Sequence, residues 1–221
     1  MMAQLSFIHI FEPGARPGAR PLLLLHGTGG NEHDLIPVGQ VVAPGAPLLS
    51  PRGKVLEHGM PRFFRRLAEG VFDEYDVRAR AHELADFIAA ARQRYGIAAP
   101  VALGYSNGAN IAAALMLLRP DALAGGILLR AMVPLSKAEA GSGLAGEAVL
   151  IVSGARDPIV PPANAARLKA MLEQTGAHVD HRIVAGGHEF SHEDVVLARD
   201  WLHAQETAFP AAFRSNNEVT S

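Results

Sequence analysis

The chain has 221 residues, of which 49% are hydrophobic and 19% are charged, and its formal net charge is -2. This balance is typical of one folded domain with a substantial core, and it gives no electrostatic reason to expect nucleic acid or an acidic membrane as a partner. Because the sequence contains no cysteine, it excludes disulfides, thiolate metal sites and a cysteine nucleophile. Any covalent chemistry therefore falls to serine, threonine, lysine or a carboxylate.

The sequence shows no evident targeting or membrane signal. The longest apolar runs, PLLLL and IAAALMLL, are shorter than the roughly 20 residues that a bilayer span requires. The beginning, MMAQLSFIHIFEPG, lacks the basic region and the continuous apolar stretch of a secretory signal. We therefore expect a cytoplasmic protein with a single domain over residues 1–209 and a polar tail over residues 210–221.

Short apolar segments alternate with longer helical patterns, which predicts β-α repetition around a mainly parallel sheet. The predicted strands cover residues 5–11, 21–26, 46–50, 100–105, 125–130, 148–154 and 178–184. The first two are joined by EPGARPGAR, a turn rich in proline and glycine. Since the strands look apolar on both faces, we expect a sheet enclosed between two layers of helices.

The predicted helices cover residues 79–95, 110–118, 162–174 and 191–205. The first has a single apolar stripe that includes Leu84, Phe87 and Ile88. The second is apolar on every side, which predicts a central buried helix that ends before Pro120. The connection over residues 51–75 is long for a compact domain, and such connections are often functional.

The pentapeptide Gly104-Tyr105-Ser106-Asn107-Gly108 lies between a predicted strand and the predicted buried helix. G-x-S-x-G in this setting is typical of a nucleophile elbow, in which a sharp turn lifts the serine Oγ above the sheet. The alternative is a glycine-rich turn with a serine that caps the helix. We predict that Ser106 is a nucleophile.

A nucleophilic serine needs a base and an acid that orients the base, and on this architecture they follow in the order serine, acid, histidine. Asp157 lies just past the strand AVLIVSG, and His188 lies past the last predicted strand. Asp157 could instead start an Asp-Pro turn. Asp180 and Asp194 are weaker candidates, because one lies inside a strand pattern and the other past the start of a helix.

Backbone N–H groups must stabilise the oxyanion of an acyl-transfer intermediate. The loop His26-Gly27-Thr28-Gly29-Gly30 follows the second strand, where an oxyanion loop belongs. We assign the two donors to the N–H groups of Thr28 and Asn107. A phosphate-binding loop is the alternative, but the segment fits neither G-x-G-x-x-G nor a P-loop with its lysine.

The segment His188-Glu189-Phe190-Ser191-His192 also matches H-E-x-x-H, in which a helix presents two histidines to zinc. Zinc binding requires one helix across all five residues, but Gly186 and Gly187 directly precede His188. Ser191 and Asp194 resemble a capping box, so we expect the helix to begin between the two histidines. A zinc metallopeptidase, with Glu206 as a conceivable third ligand, is the alternative from another enzyme class.

The 51–75 connection combines Met60, Phe63 and Phe64 with the cluster Arg62, Arg65 and Arg66. The three apolar side chains are candidates for a substrate-binding wall near the serine. Alternatively, the aromatic rings anchor the loop to the core while the arginines pair with Glu69, Asp73 and Glu74. In a third interpretation, the arginines guide an anionic substrate.

Together these residues resemble the α/β-hydrolase superfamily, and within it the small bacterial carboxylesterase/phospholipase group related to acyl-protein thioesterases. The motifs HGTGGNEHDL, LLSPRG, MPRFFRR, GYSNGAN, SGARDPIVPP and AGGHEF follow one another in the order and spacing of that group. The resemblance covers nearly the whole chain. It implies a three-layer α/β sandwich, with a mainly parallel sheet of about seven strands and no large cap domain.

The resemblance also implies a serine carboxylesterase that cleaves small carboxylic esters, with an acyl-thioesterase or lysophospholipase on the same triad as alternatives. Asn107 stands where acyl-protein thioesterases typically carry glutamine, which favours the bacterial esterase branch over protein depalmitoylation. The group often forms dimers, so a homodimer is a further expectation. No metal and no organic cofactor is implied. A catalytically inactive hydrolase fold that serves as a binding protein is the alternative outside enzymes.

Overall fold

The computed structural model describes residues 5–137 and 143–208. In chain order its strands are β1 (His9–Glu12), β2 (Leu22–Leu25), β3 (Leu48–Pro51), β4 (Val55–Glu57), β5 (Met60–Arg62), β6 (Arg66–Ala68), β7 (Val71–Phe72), β8 (Val101–Tyr105), β9 (Gly126–Leu129), β10 (Ala148–Gly154) and β11 (His178–Val184). Its helices are α1 (Ile36–Val42), α2 (Glu74–Tyr95), α3 (Asn107–Leu118), α4 (Pro162–Gln174) and α5 (His192–Ala208), with a 3-10 turn at Pro120–Ala122.

Seven strands form the central sheet, in the order β1-β3-β2-β8-β9-β10-β11. All neighbours are parallel except β1, which pairs antiparallel with β3. Because parallel strands end at the same edge, the segments after β2, β8, β9, β10 and β11 meet there. The predicted oxyanion loop, serine, aspartate and histidine all follow strands of this set.

Alternate side chains of the strands enter two separate cores. In β2, Leu23 and Leu25 face a core with α2 and α3, whereas Leu22 and Leu24 face a core with α1 and α5. Both sets are fully buried, as a strand covered on both faces requires. The predicted three-layer α/β sandwich is therefore confirmed, and the described part of the connection between β9 and β10 contains no helix.

The predicted elements recur, most of them with shifted ends, and α1 was not predicted. The interpretation that every strand is buried on both faces is wrong for the two edges, because β1 and most of β11 are partly or largely exposed. The 51–75 connection contains the hairpins β4–β5 and β6–β7. Short strands of this kind carry little apolar periodicity, which is why the sequence pattern did not distinguish them from a loop.

Among the residues that the structure describes, no helix is both long and apolar enough to cross a membrane. The predicted tail over residues 210–221 lies outside the described ranges. The cytoplasmic location, the homodimer and the division of the chain at residue 209 stay predictions.

Candidate active site

Ser106 occupies a sharp turn between β8 and the buried helix α3. Its backbone has φ 52° and ψ -113°, a region that side-chain-bearing residues rarely adopt and that is strained. The Ser106 N–H donates to the carbonyl oxygen of Leu129 at 2.9 Å, so the end of β9 holds the turn in place. The hydroxyl is thereby presented at the carboxyl edge of the sheet, as an elbow requires.

His188 lies in the loop between β11 and α5, and its imidazole connects the predicted serine and acid. Its Nε2 is 2.9 Å from Ser106 Oγ, and its Nδ1 is 2.8 Å from Asp157 Oδ2. Gly154, at the end of β10, makes room for this loop, since a Cβ at that position would lie 2.1 Å from the carbonyl oxygen of Gly187. The structure thus brings together three side chains that are scattered along the chain.

Asp157 is held so that one carboxylate oxygen faces the imidazole. Its other oxygen, Oδ1, accepts hydrogen bonds from the N–H groups of Ile159 at 2.8 Å and Val160 at 3.0 Å. Its side chain is 1% exposed, and a buried carboxylate requires such partners. An imidazole that donates from Nδ1 to this carboxylate presents the lone pair of Nε2 to a hydroxyl, which is the arrangement that activates a serine.

The two competing aspartates have other partners. Asp180 pairs with Arg182 on the exposed edge strand at 2.8 Å. Asp194 is fully buried and pairs with Arg130 at 2.8 Å. The expected capping box is present, because Asp194 accepts from the Ser191 N–H at 2.8 Å while Ser191 Oγ accepts from the Asp194 N–H at 3.4 Å.

The five residues of H-E-x-x-H are not one helix. Helix α5 begins at His192, which is exposed, and His188 lies in the preceding loop. Glu189 accepts from the Gly187 N–H at 3.1 Å; hydrogen bonds from its own N–H and that of Gly187 lower the pKa of its carboxyl group. Glu206 pairs instead with Arg16. Within residues 5–137 and 143–208, no group of three potential ligands is positioned to hold a metal.

Thr28 and Asn107, the predicted oxyanion donors, both border the cavity that contains Ser106 and His188. Asn107 is the first residue of α3, and the first N–H groups of a helix have no acceptor within it. In the other loop, the N–H groups of Gly29 and Gly30 donate to Pro61 and Gly27. The loop after β2 and the start of α3 therefore both contribute to the cavity at the serine, and the role of Thr28 and Asn107 as oxyanion donors stays a prediction.

The hairpin β4–β5 and the residue that follows it form hydrogen bonds to both Thr28 and Asn107. Arg62 is buried, and its guanidinium donates to Thr28 Oγ1 at 2.7 Å and pairs with Glu57 at 3.2 Å. The N–H of Phe63 donates to Asn107 Oδ1 at 2.7 Å. The sequence left the role of the arginine cluster open. Of the ion pairs considered there with Glu69, Asp73 and Glu74, the structure contains that of Arg65 with Asp73. Arg66, like Arg62, pairs with Glu57.

The cavity at the serine has a volume of about 250 Å³. Its polar and charged border consists of Thr28, Arg62, Arg66, Glu69, Tyr105, Ser106, Asn107, Asn110, Arg130 and His188, and its other lining residues are Gly70, Phe72, Met132 and Ile159. Three apolar side chains of this lining, Phe72, Met132 and Ile159, pack together in one small cluster.

The candidate substrate-binding residues lie elsewhere. Phe63 and Phe64 are 3% and 0% exposed and belong to the main core, and Met60 lies outside the lining of the cavity, beside Gly29. The interpretation that the two aromatic rings anchor the connection agrees with this packing. Sequence reasoning missed Met132 and Ile159, although both follow strands that end at the active edge, and that position is itself a signal for a binding residue.

A parallel sheet that ends in a strained serine turn, with histidine and aspartate on the loops of later strands, is the architecture of the α/β hydrolases. The chain belongs to one family within that class, the phospholipase/carboxylesterase family, whose model matches residues 8–205. The resemblance found in the sequence is thereby confirmed, and the chain is a hydrolase of the esterase type.

Individual relatives agree with this assignment. MhqD of Bacillus subtilis (strain 168), which is named as a candidate hydrolase, is 46% identical over 195 residues that cover 87% of this chain and 96% of MhqD. The crystal structure of a Bacillus cereus carboxylesterase has a TM-score of 0.87 and 44% identity, covering 90% of this chain and 94% of that one. A carboxylesterase from Mesorhizobium loti has a TM-score of 0.85 and 34% identity, with 90% and 95% covered.

Proposed function

We propose that the protein is a carboxylesterase that cleaves small carboxylic esters through an acyl-enzyme on Ser106. The observation that carries the proposal is the pair of hydrogen bonds that one imidazole makes, with Ser106 Oγ facing the acceptor His188 Nε2 at 2.9 Å and with His188 Nδ1 facing Asp157 Oδ2 at 2.8 Å. Family membership supports the same chemistry.

In the first half of the reaction, His188 Nε2 takes the hydroxyl proton as Ser106 Oγ attacks the ester carbonyl carbon. The carbonyl oxygen becomes an oxyanion, which accepts hydrogen bonds from the N–H groups of Thr28 and Asn107. His188 then gives the proton to the departing alkoxide, so that the alcohol leaves and the acyl group remains on the serine. Asp157 keeps the imidazole in the required tautomer and stabilises its cationic form.

In the second half, water replaces the alcohol. His188 takes a proton from the water as its oxygen attacks the acyl carbon, and the collapse of the second tetrahedral intermediate returns that proton to Ser106 Oγ. The carboxylic acid is released and the enzyme is regenerated. The step needs only the groups already named.

The size and lining of the cavity favour small substrates. Its volume of about 250 Å³ lies below the usual range of roughly 300–1,000 Å³ for drug-sized ligands. We expect the apolar cluster of Phe72, Met132 and Ile159 to contact a short acyl or aryl group, while a longer acyl chain would have to leave the cavity. A lysophospholipase that uses the same three residues would require room for such a chain, as would a thioesterase that acts on long acyl groups.

A fluorophosphonate probe tests the nucleophile. We expect one probe per chain at Ser106, no labelling of Ser106→Ala, and normal labelling of Ser136→Ala, because Ser136 is exposed and bonded to Glu74. Intact protein that folds and does not label would reject the enzymatic interpretation in favour of a binding protein. Activity that EDTA abolishes, and that Ser106→Ala retains, would favour a zinc peptidase.

Acyl preference is measured on p-nitrophenyl acetate, butyrate, octanoate and palmitate, with an acyl thioester and a lysophospholipid beside them. We expect kcat/KM to be highest for the two shortest esters and to fall steeply for the longer ones. A maximum at palmitate or on the lysophospholipid would contradict the proposed substrate class while leaving the nucleophile intact.

A further inference from the structure

Arg130 is a buried cation directly beyond β9, and the mechanism above makes no use of it. Its side chain is 1% exposed, and its backbone has φ 56°, a conformation that is unusual for a residue with a side chain. Strain of this kind persists only where surrounding contacts hold it, and such sites cluster at active sites. Here the N–H of Arg130 donates to the carbonyl oxygen of Val152 at 2.9 Å.

Each of the five N–H bonds of the guanidinium has an acceptor. The Nε donates to Gly187 O at 2.8 Å, and Nη2 donates to Glu189 O at 3.2 Å. The remaining bonds reach both oxygens of Asp194, at 2.8 and 3.1 Å, and the carbonyl oxygen of Val152 at 3.4 Å. Gly187 and Glu189, whose carbonyl oxygens accept from Nε and Nη2, are the residues immediately before and after His188.

The carbonyl group of His188, which lies between these two, also accepts a hydrogen bond. Tyr105, the residue before the elbow serine, donates its hydroxyl to His188 O at 2.9 Å, and burial raises the pKa of that hydroxyl, which keeps it a donor. Three consecutive carbonyl groups, at positions 187, 188 and 189, are thus fixed by two side chains. Both side chains come from segments that also hold Ser106, since Leu129 precedes Arg130 and accepts from the Ser106 N–H.

Asp194 completes this arrangement. It balances the charge of Arg130 and, through Ser191, ties the loop to the start of α5. A buried ion pair is not in itself a source of stability, because desolvation offsets much of the attraction and apolar replacements are often neutral. The number and the direction of the hydrogen bonds to the histidine loop therefore point to a geometric role.

We propose that Arg130 is a positioning residue, which fixes the backbone on both sides of His188 and so holds the imidazole against Ser106. The inference rests on the proposed function of the serine and histidine. A planar guanidinium reaches the carboxylate and three carbonyl groups at once, whereas a lysine ammonium is a single point of charge that cannot span them. Small displacements of a catalytic group, of about 1 Å, lower rates by about 100-fold.

The test compares Arg130→Lys with Arg182→Lys, which changes an exposed arginine that also pairs with an aspartate. Fluorophosphonate titration counts the competent serines, and kcat and KM are then measured per labelled serine on p-nitrophenyl acetate. We expect Arg130→Lys to lower kcat per competent serine by about 10- to 100-fold with little change in KM, and to slow labelling similarly. Arg182→Lys keeps the wild-type values.

A purely structural role would reduce the number of competent serines and leave kcat for each of them unchanged, and that result would overturn the proposal. Wild-type protein that does not label would instead reject the proposed function. If Arg130→Lys does not fold, the proposal is tested instead by NMR measurement of hydrogen exchange in the wild-type protein. The Arg130 Nε–H should exchange much more slowly than the Arg182 Nε–H, and equal rates would overturn the proposal.

Discussion

Gly108 lies so close to Leu25 that a Cβ on the glycine would be 1.9 Å from the leucine carbonyl oxygen. Helix α3 therefore packs with its first turn directly against the end of β2. The contact joins helix α3, which begins directly after Ser106, to strand β2, which precedes the oxyanion loop. The distance between these two parts of the site therefore depends on the absence of a side chain at position 108.

We expect Gly108→Ala to lower the free energy of unfolding by about 1 to 3 kcal/mol, because the strand backbone has to move to relieve the overlap. The same movement displaces Ser106 and reduces kcat. Urea denaturation followed by circular dichroism measures the first effect. Gly143→Ala is the matched control, since a Cβ there meets no atom of the described residues within 4 Å, and equal stabilities for the two variants would contradict the close packing.

Asp157→Asn should lower kcat by about 10³- to 10⁴-fold. The N–H groups of Ile159 and Val160 require an oxygen at Oδ1, so the asparagine would turn its amide nitrogen toward His188 Nδ1. Two donors would then face each other, and the imidazole would adopt the tautomer that cannot take the serine proton. Steady-state kinetics on p-nitrophenyl acetate checks this, and a normal kcat would exclude Asp157 as the orienting acid. Asp180→Asn, on the edge strand, serves as control.

Arg62→Lys should lower kcat about tenfold, less than the 100-fold or more expected when an oxyanion donor itself is lost. The lysine ammonium cannot bond to Thr28 Oγ1 while it also reaches Glu57 and the Phe64 carbonyl group as the guanidinium does. Arg65→Lys is the control, because Arg65 is largely exposed and pairs with Asp73. If both variants matched the wild-type protein in kcat, the hydrogen bond from Arg62 to Thr28 in the oxyanion loop would have no catalytic role.

The stability of the protein should fall as the pH decreases below about 6.5, the usual pKa of histidine, partly because of His26. Burial lowers the pKa of His26 in the folded protein, where its ring bonds to Gly27 O and to the Gly53 N–H. The unfolded chain therefore binds a proton first, and stability is lost until the pH reaches the folded pKa.

His26→Gln removes this contribution, so its free energy of unfolding should depend less steeply on pH over that range, by at most about 1.4 kcal/mol per pH unit. Burial lowers the pKa of His181 as well, so part of the slope remains. Urea denaturation at a series of pH values measures both proteins. Parallel curves would show that His26 does not contribute.

The sequence by itself determined the seven strands of the central sheet, the central buried helix, the serine turn and the loops that carry Asp157 and His188. Apolar periodicity and glycine spacing are local properties of the chain, so they can be recognised in the sequence before the fold is known. The ends of β10, β11 and α4 agree with the predicted ends, and the capping box at Ser191 correctly placed the helix start that separates His188 from His192.

Only the tertiary structure decided which side chains meet. Arg130 and Asp194 are 64 positions apart, and no local pattern relates a residue after one strand to the cap of a distant helix. For the same reason Phe63 and Phe64 looked like a substrate wall, whereas packing turns them into the core and brings Phe72, Met132 and Ile159 to the cavity. Contacts between distant segments depend on the register and twist of the whole sheet, which periodicity does not encode.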